Sequence, residues 1–459
     1  MNRRDVLGAG VAALSTAAVP RLTAQGRRRA PNFIVVYCDD LGYGDIGPTG
    51  GRDIATPNLD RMAREGLTLT DYYAPANVCT PSRAGLLTGR YPIRTGLSKV
   101  LLANDTKILP TSEVTIAKAL KPSYASALIG KWHLGHKGPD WSPTAHGFDY
   151  FYGLPYSHDI LPLKVFEYDR TGKLGETEPD YPRLQQDFYA KAERFIDAHR
   201  TQPFFLELAL SSPHLPNYPA PGFDRKSVAA GAYGDTVVEI DAIVGRLLAK
   251  LKASGIDQDT MVIFTSDNGP WFEGSTGGLR QRKGGGAYDG AYRVPFIARW
   301  PGRIAPGGRS DAIAMGIDLM PTFCALAGVA TPAGVTLDGK DLTGVLTRRA
   351  ASPHDELLLF QGDDVVGIRT QRWKYVNADF YMNILVLLEG RGYPQFYDMK
   401  VPGEQYSVAS LHPDVVRAME ARMRRAAGTF AGLRTDPANP LEQQRKAAMP
   451  RAVPEIWRD

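Results

Sequence analysis

Cysteine is scarce in this chain. Three occur in 459 residues, Cys38, Cys79 and Cys324, and an odd, sparse set argues against a disulfide framework. No Cys-x-x-Cys pair is present, which argues against a zinc ribbon or a thioredoxin-like site. Long charge blocks of one sign are missing beyond the N-terminus. The net charge is +5, with Lys and Arg interspersed among Asp and Glu, so a nucleic-acid partner is not suggested. No internal repeat is visible. The apolar stretch over residues 6–19 is too short to span a bilayer comfortably.

What is present is globular. Hydrophobic residues make up 43% and charged residues 22%, a balance that excludes disorder. The length allows one large domain with a small one appended, or two to three domains. With 47 Gly and 34 Pro the chain is rich in loops, which suits an enzyme whose site is built on them. Residues 1–26 read as a leader and not as part of the fold. Arg3 and Arg4 precede the apolar stretch, and small residues follow up to Ala24. This is the pattern of twin-arginine export, and it predicts a periplasmic or secreted protein. The alternative is a merely basic, unstructured start.

Continuous apolar runs begin at Phe33, Ala125, Pro203, Met261 and Val294, as strands buried on both faces do. Helical patterns lie between them. Over 56–66, Thr56 is a candidate N-cap and Pro57 fits the first position. Further on, Val237, Ile240, Val244, Leu247, Leu248 and Leu251 share one face, closed by Gly255. This alternation predicts an α/β sandwich with a largely parallel central sheet. The predicted core domain covers residues 31–350. Residues 351–459 read as a small antiparallel sheet with a packed helix near 412–427, then an irregular tail from 435.

Polar residues gather where the strands end, which is where open α/β sheets place ligands. Asp39 and Asp40 end the first strand. Lys131 and His133 end the second, two apart and so on one face, with Trp132 on the other. His214 follows "LELALSSP", and Asp267 and Asn268 end "MVIFTS". Asp39, Asp40, Asp267 and Asn268 offer only oxygen, which fits Ca²⁺ or Mg²⁺ and not zinc. Adjacent aspartates point oppositely on a regular strand, so the chain must leave strand geometry at Asp40, with Gly42 and Gly44 easing the turn. Cys79 falls just before a predicted helix in which Thr80 caps, Pro81 takes the first position and Gly89 stops. A helix N-terminus lowers a thiol pKa or holds an anion, and Arg83 follows four residues on. A buried structural cysteine is the bland alternative.

With these residues in place, the chain resembles the sulfatase family. Cys79-Thr80-Pro81-Ser82-Arg83 with "AGLLTGR" behind it is similar to the family signature Cys-x-Pro-Ser-Arg, and "GKWHLG" (130–135) to its second signature. "DDLGYGDIG", "PYSHD", "PHLP", "TSDNGP" and "RKGGGAYDGAYRVPFIARWPG" follow in family order. The match runs from about residue 31 to 300, extends to "QFYDMKVPGEQ", and looks nearest to the arylsulfatase A-like branch. The resemblance implies an alkaline-phosphatase-like α/β sandwich. It also implies that Cys79 is oxidised to formylglycine by a formylglycine-generating enzyme or maturase. Asp39, Asp40, Asp267 and Asn268 then match the ligands of a metal, usually Ca²⁺, completed by the oxidised Cys79. Arg83, Lys131, His133, Ser157, His214 and Lys283 match the residues that handle the sulfate and the formylglycine.

The implied chemistry explains the residue types. A serine attacking sulfur would leave a stable sulfate ester. A hydrated aldehyde carries a second hydroxyl, whose deprotonation expels sulfate. In that scheme Lys131, Lys283 and the metal neutralise the sulfuryl oxygens. His214 protonates the leaving oxygen, and His133 takes the proton from the second hydroxyl. Lys283 lies in "RQRK", which alone would read as a solvated loop. His136 and His146 read as structural or peripheral, His158 and Asp159 as lining or shaping a loop, Arg293 as structural. Cys38 and Cys324 read as core. Asp289-Gly290-Ala291 departs from the family's Glu-Gly-Gly, which bears on substrate contacts. "RQRK" and "FDYFYGLPYSHD" are candidates to line an anionic, sugar-bearing pocket. The reading is a hydrolase of aryl or carbohydrate sulfates. Its alternatives are a phosphonate or phosphate ester hydrolase and a non-catalytic sulfated-glycan-binding protein with an unmodified Cys79.

Overall fold

The computed structural model describes residues 29–121, 123–377 and 395–435. The leader expected over 1–26 and the tail beyond 435 lie outside those residues. The unbroken apolar runs form strands. β1 (Asn32–Asp39) is buried at every position. It is followed by β2 (Leu67–Leu69), β3 (Tyr72–Tyr73), β4 (Ala125–Lys131), β5 (Tyr150–Leu154), β6 (Val165–Asp169) and β7 (Gly172–Thr177). Next come β8 (Phe204–Pro213), β9 (Thr260–Ser266), β10 (Phe296–Arg299), β11 (Gly308–Ser310) and β12 (Ala314–Met315). The helices among them are α1 (Pro57–Arg64), α2 (Cys79–Thr88), α3 (Ile116–Leu120), α4 (Leu184–His199), α5 (Gly231–Ala253), α6 (Asp289–Tyr292), α7 (Leu319–Ala327) and α8 (Thr343–Arg348).

Ten strands make one sheet in the order β11-β2-β10-β9-β1-β8-β4-β5-β6-β7. The central five, β9 to β5, are mutually parallel. The run from Val294 departs from the parallel expectation, since β10 lies antiparallel to both β9 and β2. The strands β6 and β7 form an antiparallel extension at the other edge. Alternate residues of β1 face opposite layers, as the pleat requires. Phe33, Val35 and Tyr37 pack with Leu86 and Leu87 of α2, Leu120 of α3 and Phe323 of α7. Ile34, Val36 and Cys38 pack with Leu59 of α1, Phe188 of α4 and Ile240 and Val244 of α5. Cys324 is buried in α7. Helices therefore cover both faces.

The second, smaller sheet is antiparallel: β13 (Leu357–Gln361), β14 (Asp364–Arg369), β15 (Trp373–Val376) and β16 (Gln395–Asp398). It is covered by α9 (Pro413–Phe430), which buries Val416, Met419, Met423 and Phe430 against it. Among the described residues, no helix is long and apolar enough to cross a membrane.

Two helix starts differ from the sequence expectation. Thr56 does not cap α1 with its side chain; its Oγ1 accepts the N–H of Gly47 at 2.9 Å instead. Cys79 is the first residue of α2, and Val78 takes the cap position. Thr80 is therefore not the cap, and its Oγ1 accepts the N–H of Leu101 at 3.2 Å. The face predicted for α5 is buried throughout.

Candidate active site

The four strands whose ends carry the polar residues, β9, β1, β8 and β4, are consecutive neighbours in the sheet. Their ends form one row. Asp39 is the last residue of β1, and Asp40 has φ 65°, so the turn out of the strand is made by Asp40 itself in the left-handed region. Gly42 and Gly44 serve another purpose. A Cβ on either would lie 2.3 Å from the Ser275 carbonyl oxygen or 2.4 Å from the Gly277 nitrogen, so they admit the 275–277 loop. Gly130 has φ 120°, and a Cβ there would meet the Ala209 carbonyl oxygen at 1.8 Å. Only glycine lets β4 run this close to β8 just before Lys131. Lys131 is the last residue of β4, and His133 takes its direction from φ 58° and not from strand alternation.

Carboxylate oxygens of Asp39, Asp40 and Asp267 lie within 4.8 Å of one another, all buried. The Asp40 N–H donates to Asp267 Oδ1 at 3.1 Å, and Asn268 Nδ2 donates to Asp40 Oδ1 at 2.7 Å. Three cations face the three acids. Arg83 donates to Asp267 Oδ2 from Nε at 3.0 Å and from its terminal nitrogen at 2.8 Å. Lys131 Nζ donates to Asp39 Oδ2 at 2.6 Å and to Ser157 Oγ at 3.2 Å. Lys283 Nζ lies 2.8 Å from the Asp40 carboxylate. Burial works to raise the Asp39 pKa, but Lys131, His214 and Arg83 together hold it well below the usual carboxylate range. For Asp267 burial prevails over Arg83, and its pKa is pushed up to about 6.

These residues fit a hard divalent cation. The donors are all oxygen, and Asp39 Oδ1 and Asn268 Oδ1 are buried with no hydrogen-bond partner. A buried acceptor without a partner is costly, and a cation at this point would satisfy both.

Cys79 begins α2 and is 2% exposed. Its thiol feels Lys131, Lys283, Asp39 and Asp267 electrostatically, but burial is the largest influence and pushes its pKa up. The lowered thiol pKa expected from the helix terminus is therefore not found: dehydration outweighs the pull of Lys131 and Lys283 toward the thiolate. Two histidines stand at the row with fixed tautomers. His133 Nε2 lies 2.9 Å from the Leu101 carbonyl oxygen, so it carries the proton, and Nδ1 is a buried acceptor without a partner. Burial, with Lys131 nearby, holds the His133 pKa well below the ordinary value, so the ring is neutral. His214 Nδ1 lies 2.5 Å from the Leu215 carbonyl oxygen and so carries the proton, which leaves Nε2, 3.6 Å from Asp40 Oδ2, facing the row.

The remaining expected residues are also placed. His136 and His146 each bond a backbone carbonyl, Ala103 and Asp140 respectively. His158 Nε2 bonds the Pro216 carbonyl and its ring lies 5.6 Å from that of His214. Arg293 pairs with Asp71 and Asp289 beneath the second sheet. The segment "FDYFYG" does not line the site. Phe148 and Phe151 are core, Tyr150 donates to Glu167, and Tyr152 lies under Lys191. Only Ser157 and His158 from that stretch reach the row.

Three residues at or beneath the row had no sequence signal. Asn77 Nδ2 donates to the Gly286 carbonyl at 2.9 Å and to Gln361 Oε1 at 2.7 Å, and its carbonyl accepts the Gly284 N–H at 2.9 Å. It thus ties the Lys283 loop to the segment carrying Cys79. Glu207, mid-strand in β8, is fully buried with Oε2 unpartnered. Burial, opposed by Arg83, pushes its pKa up to about 7. Trp271, three residues past Asn268, lies with its ring centroid 5.6 Å from Lys283 Nζ.

Comparison with known proteins matches residues 31–329 to the family model described as Sulfatase. Residues 286–398 match the model described as N-sulphoglucosamine sulphohydrolase, C-terminal. Arylsulfatase A of Homo sapiens is 37% identical over 443 residues, covering 85% of this chain and 87% of that one. N-acetylgalactosamine-6-sulfatase of Rattus norvegicus is 37% identical over 351 residues, covering 70% of this chain and 66% of that one. The solved PsFucS1 sulfatase from Pseudoalteromonas sp. superposes with a TM-score of 0.82 at 30% identity, covering 89% of this chain and 92% of that one.

Proposed function

The chain belongs to the sulfatase family and is a sulfuric ester hydrolase, and from that premise we propose that it cleaves aryl or carbohydrate sulfates at the strand-end row, with Cys79 converted to formylglycine as the reacting residue. The observation that carries this reading is the charge balance. Asp39, Asp40 and Asp267 face Arg83, Lys131 and Lys283, so a divalent cation held by Asp39, Asp40, Asp267 and Asn268 leaves two positive charges in excess. An anionic sulfate ester meets that excess.

Ca²⁺, or Mg²⁺ in its place, would polarise the oxygens bound to it. Formylglycine at position 79 would supply a hydrated-aldehyde oxygen as nucleophile, with release of sulfate built in. The chain's own residues do the rest. Lys131 and Lys283 hold the sulfuryl oxygens, and Ser157 fixes the Lys131 ammonium. His214, when both ring nitrogens carry protons, gives the one on Nε2 to the leaving oxygen and keeps the Nδ1 proton on the Leu215 carbonyl. His133 accepts one at Nδ1, the nitrogen its bond to Leu101 leaves bare. Arg83 holds the ends of β4 and β9 together through the Lys131 carbonyl and Asp267. Because Cys79 is 2% exposed, a formylglycine-generating enzyme or maturase would act before α2 packs. Twin-arginine export, which carries folded protein, suits that order and would deliver the enzyme to the periplasm or outside the cell.

Intact mass and paired kinetics test the reading. Oxidation of Cys79 lowers the mature mass by about 18 Da, outside the usual thiol oxidation ladder. A chain that turns over nitrophenyl sulfate with full mass retained would sink the formylglycine role. A preference for nitrophenyl phosphate or phosphonate esters would assign the second substrate class instead.

A further inference from the structure

Two runs of rings start from the Asp40 carboxylate. On one side His214 leads to His158 at 5.6 Å, and His158 to Tyr218 at 6.2 Å between ring centroids. On the other, Lys283 leads to Trp271, and Trp271 packs edge-on against Phe272 with centroids 4.6 Å apart. Trp271 is 40% exposed and Phe272 75%. Neither belongs to any of the three apolar cores.

The loop that carries the pair is fixed before anything binds. The Lys283 N–H donates to the Pro270 carbonyl at 3.0 Å. Arg282 donates to the Trp271 carbonyl at 3.1 Å and to the Gly274 carbonyl at 2.8 Å. An exposed aromatic pair on a braced loop, beside an ammonium at a buried anion site, is costly in water and useful only when covered. Aromatic faces stack on aromatic rings or on the apolar face of a sugar.

We propose that Trp271 and Phe272 form the subsite for the ring that bears the sulfate, on the alcohol side of the ester. The proposal rests on the sulfate-ester reading above. A sulfuryl group held by Lys283 puts the group across the ester oxygen next to the lysine, where the Trp271 ring lies. An aryl sulfate and a sulfated pyranose both present such a ring, and one experiment separates the two.

The full-length, matured enzyme and its Trp271→Ala, Phe272→Ala and Trp271→Phe variants are assayed on 4-methylumbelliferyl sulfate and on galactose 6-sulfate. Inorganic sulfate serves as a ringless competitive inhibitor. Trp271→Ala is expected to raise KM by about tenfold with little change in kcat. The inhibition constant of sulfate stays within about twofold, Phe272→Ala gives a smaller rise, and Trp271→Phe restores most of the loss. A loss on only one substrate supports the proposal and names its ring. An unchanged KM on both substrates overturns it. So does a sulfate inhibition constant that rises in step with KM, because Trp271 would then act through Lys283 and not on the substrate. A parent enzyme that turns over neither these nor nitrophenyl sulfate overturns the sulfate-ester reading itself, a failure distinct from the other two.

Discussion

Arg83 sets two N–H groups on a single oxygen of Asp267, Oδ2, and a third on the carbonyl of Lys131. One guanidinium thereby fixes the ends of β9 and β4 on either side of the row. A lysine there offers a point charge with no fork. Arg83→Lys is therefore expected to lower kcat on nitrophenyl sulfate by on the order of 10²-fold. Arg83→Ala leaves Asp267 buried and unpaired, and is expected to cost about 3–5 kcal/mol of stability as well. Steady-state kinetics and thermal melts read the two effects. A lysine variant with undiminished kcat would remove Arg83 from the site's machinery.

Metal removal should separate activity from fold. Arg83, Lys131 and Lys283 already neutralise the three carboxylates, so chelation is expected to abolish turnover while the protein stays folded. Calcium returned at about one hundred times its Kd should stabilise by about 2.7 kcal/mol, read as a rise in Tm. Asp39→Asn, which weakens one of the two unpartnered oxygen sites, should blunt that rise. An unchanged response in the variant would place the cation elsewhere.

The row itself was legible in the sequence because its strands are buried on both faces. Their apolar runs are unbroken, so each polar residue at an end stands out. The departure of Asp40 from strand geometry followed from two adjacent acids needing one target. Other features rest on contacts that no local pattern carries. Strand β10 has the same apolar run as its neighbours, yet lies antiparallel, and direction is set only by which chain ends meet. Thr80 and Thr56 carry good capping side chains, but their hydroxyls serve Leu101 and Gly47 from other segments. The thiol of Cys79 is governed by dehydration in the assembled core, which outweighs the nearby Lys131 and Lys283. The rings of 148–152 are aromatic for packing, while the exposed pair beside the site is two residues in a loop, with no periodicity to mark it.

The two histidines should differ in their dependence on the leaving group. His214 Nε2 stands 3.6 Å from Asp40 Oδ2 with the proton of its other nitrogen committed to Leu215; the proposed donor is the doubly protonated ring, which the Asp40 carboxylate would pair with. His214→Ala is expected to lose about 10²–10⁴-fold on a sulfated alcohol. It should lose far less on nitrophenyl sulfate, whose leaving oxygen needs little protonation. Equal losses on both would refute the role.

Glu207 gives the fold a pH dependence of its own. It lies in β8 with Oε2 unpartnered, and burial pushes its pKa up to about 7 from an ordinary 4.5. The folded state therefore holds this proton where the unfolded chain has released it. Below pH 4.5 both states are protonated and the residue is neutral in the balance. As pH rises from there through 7, the folded carboxyl is increasingly penalised, and stability falls by on the order of 2–3 kcal/mol. Glu207→Gln keeps the shape and removes the titration. Its melting temperature should match that of the parent near pH 4.5 and exceed it at pH 8, with the gap opening between. A constant gap across that range would mean that the carboxyl is already satisfied, and a gap that opens with the parent more stable would mean that Arg83 pairs with it in the charged form.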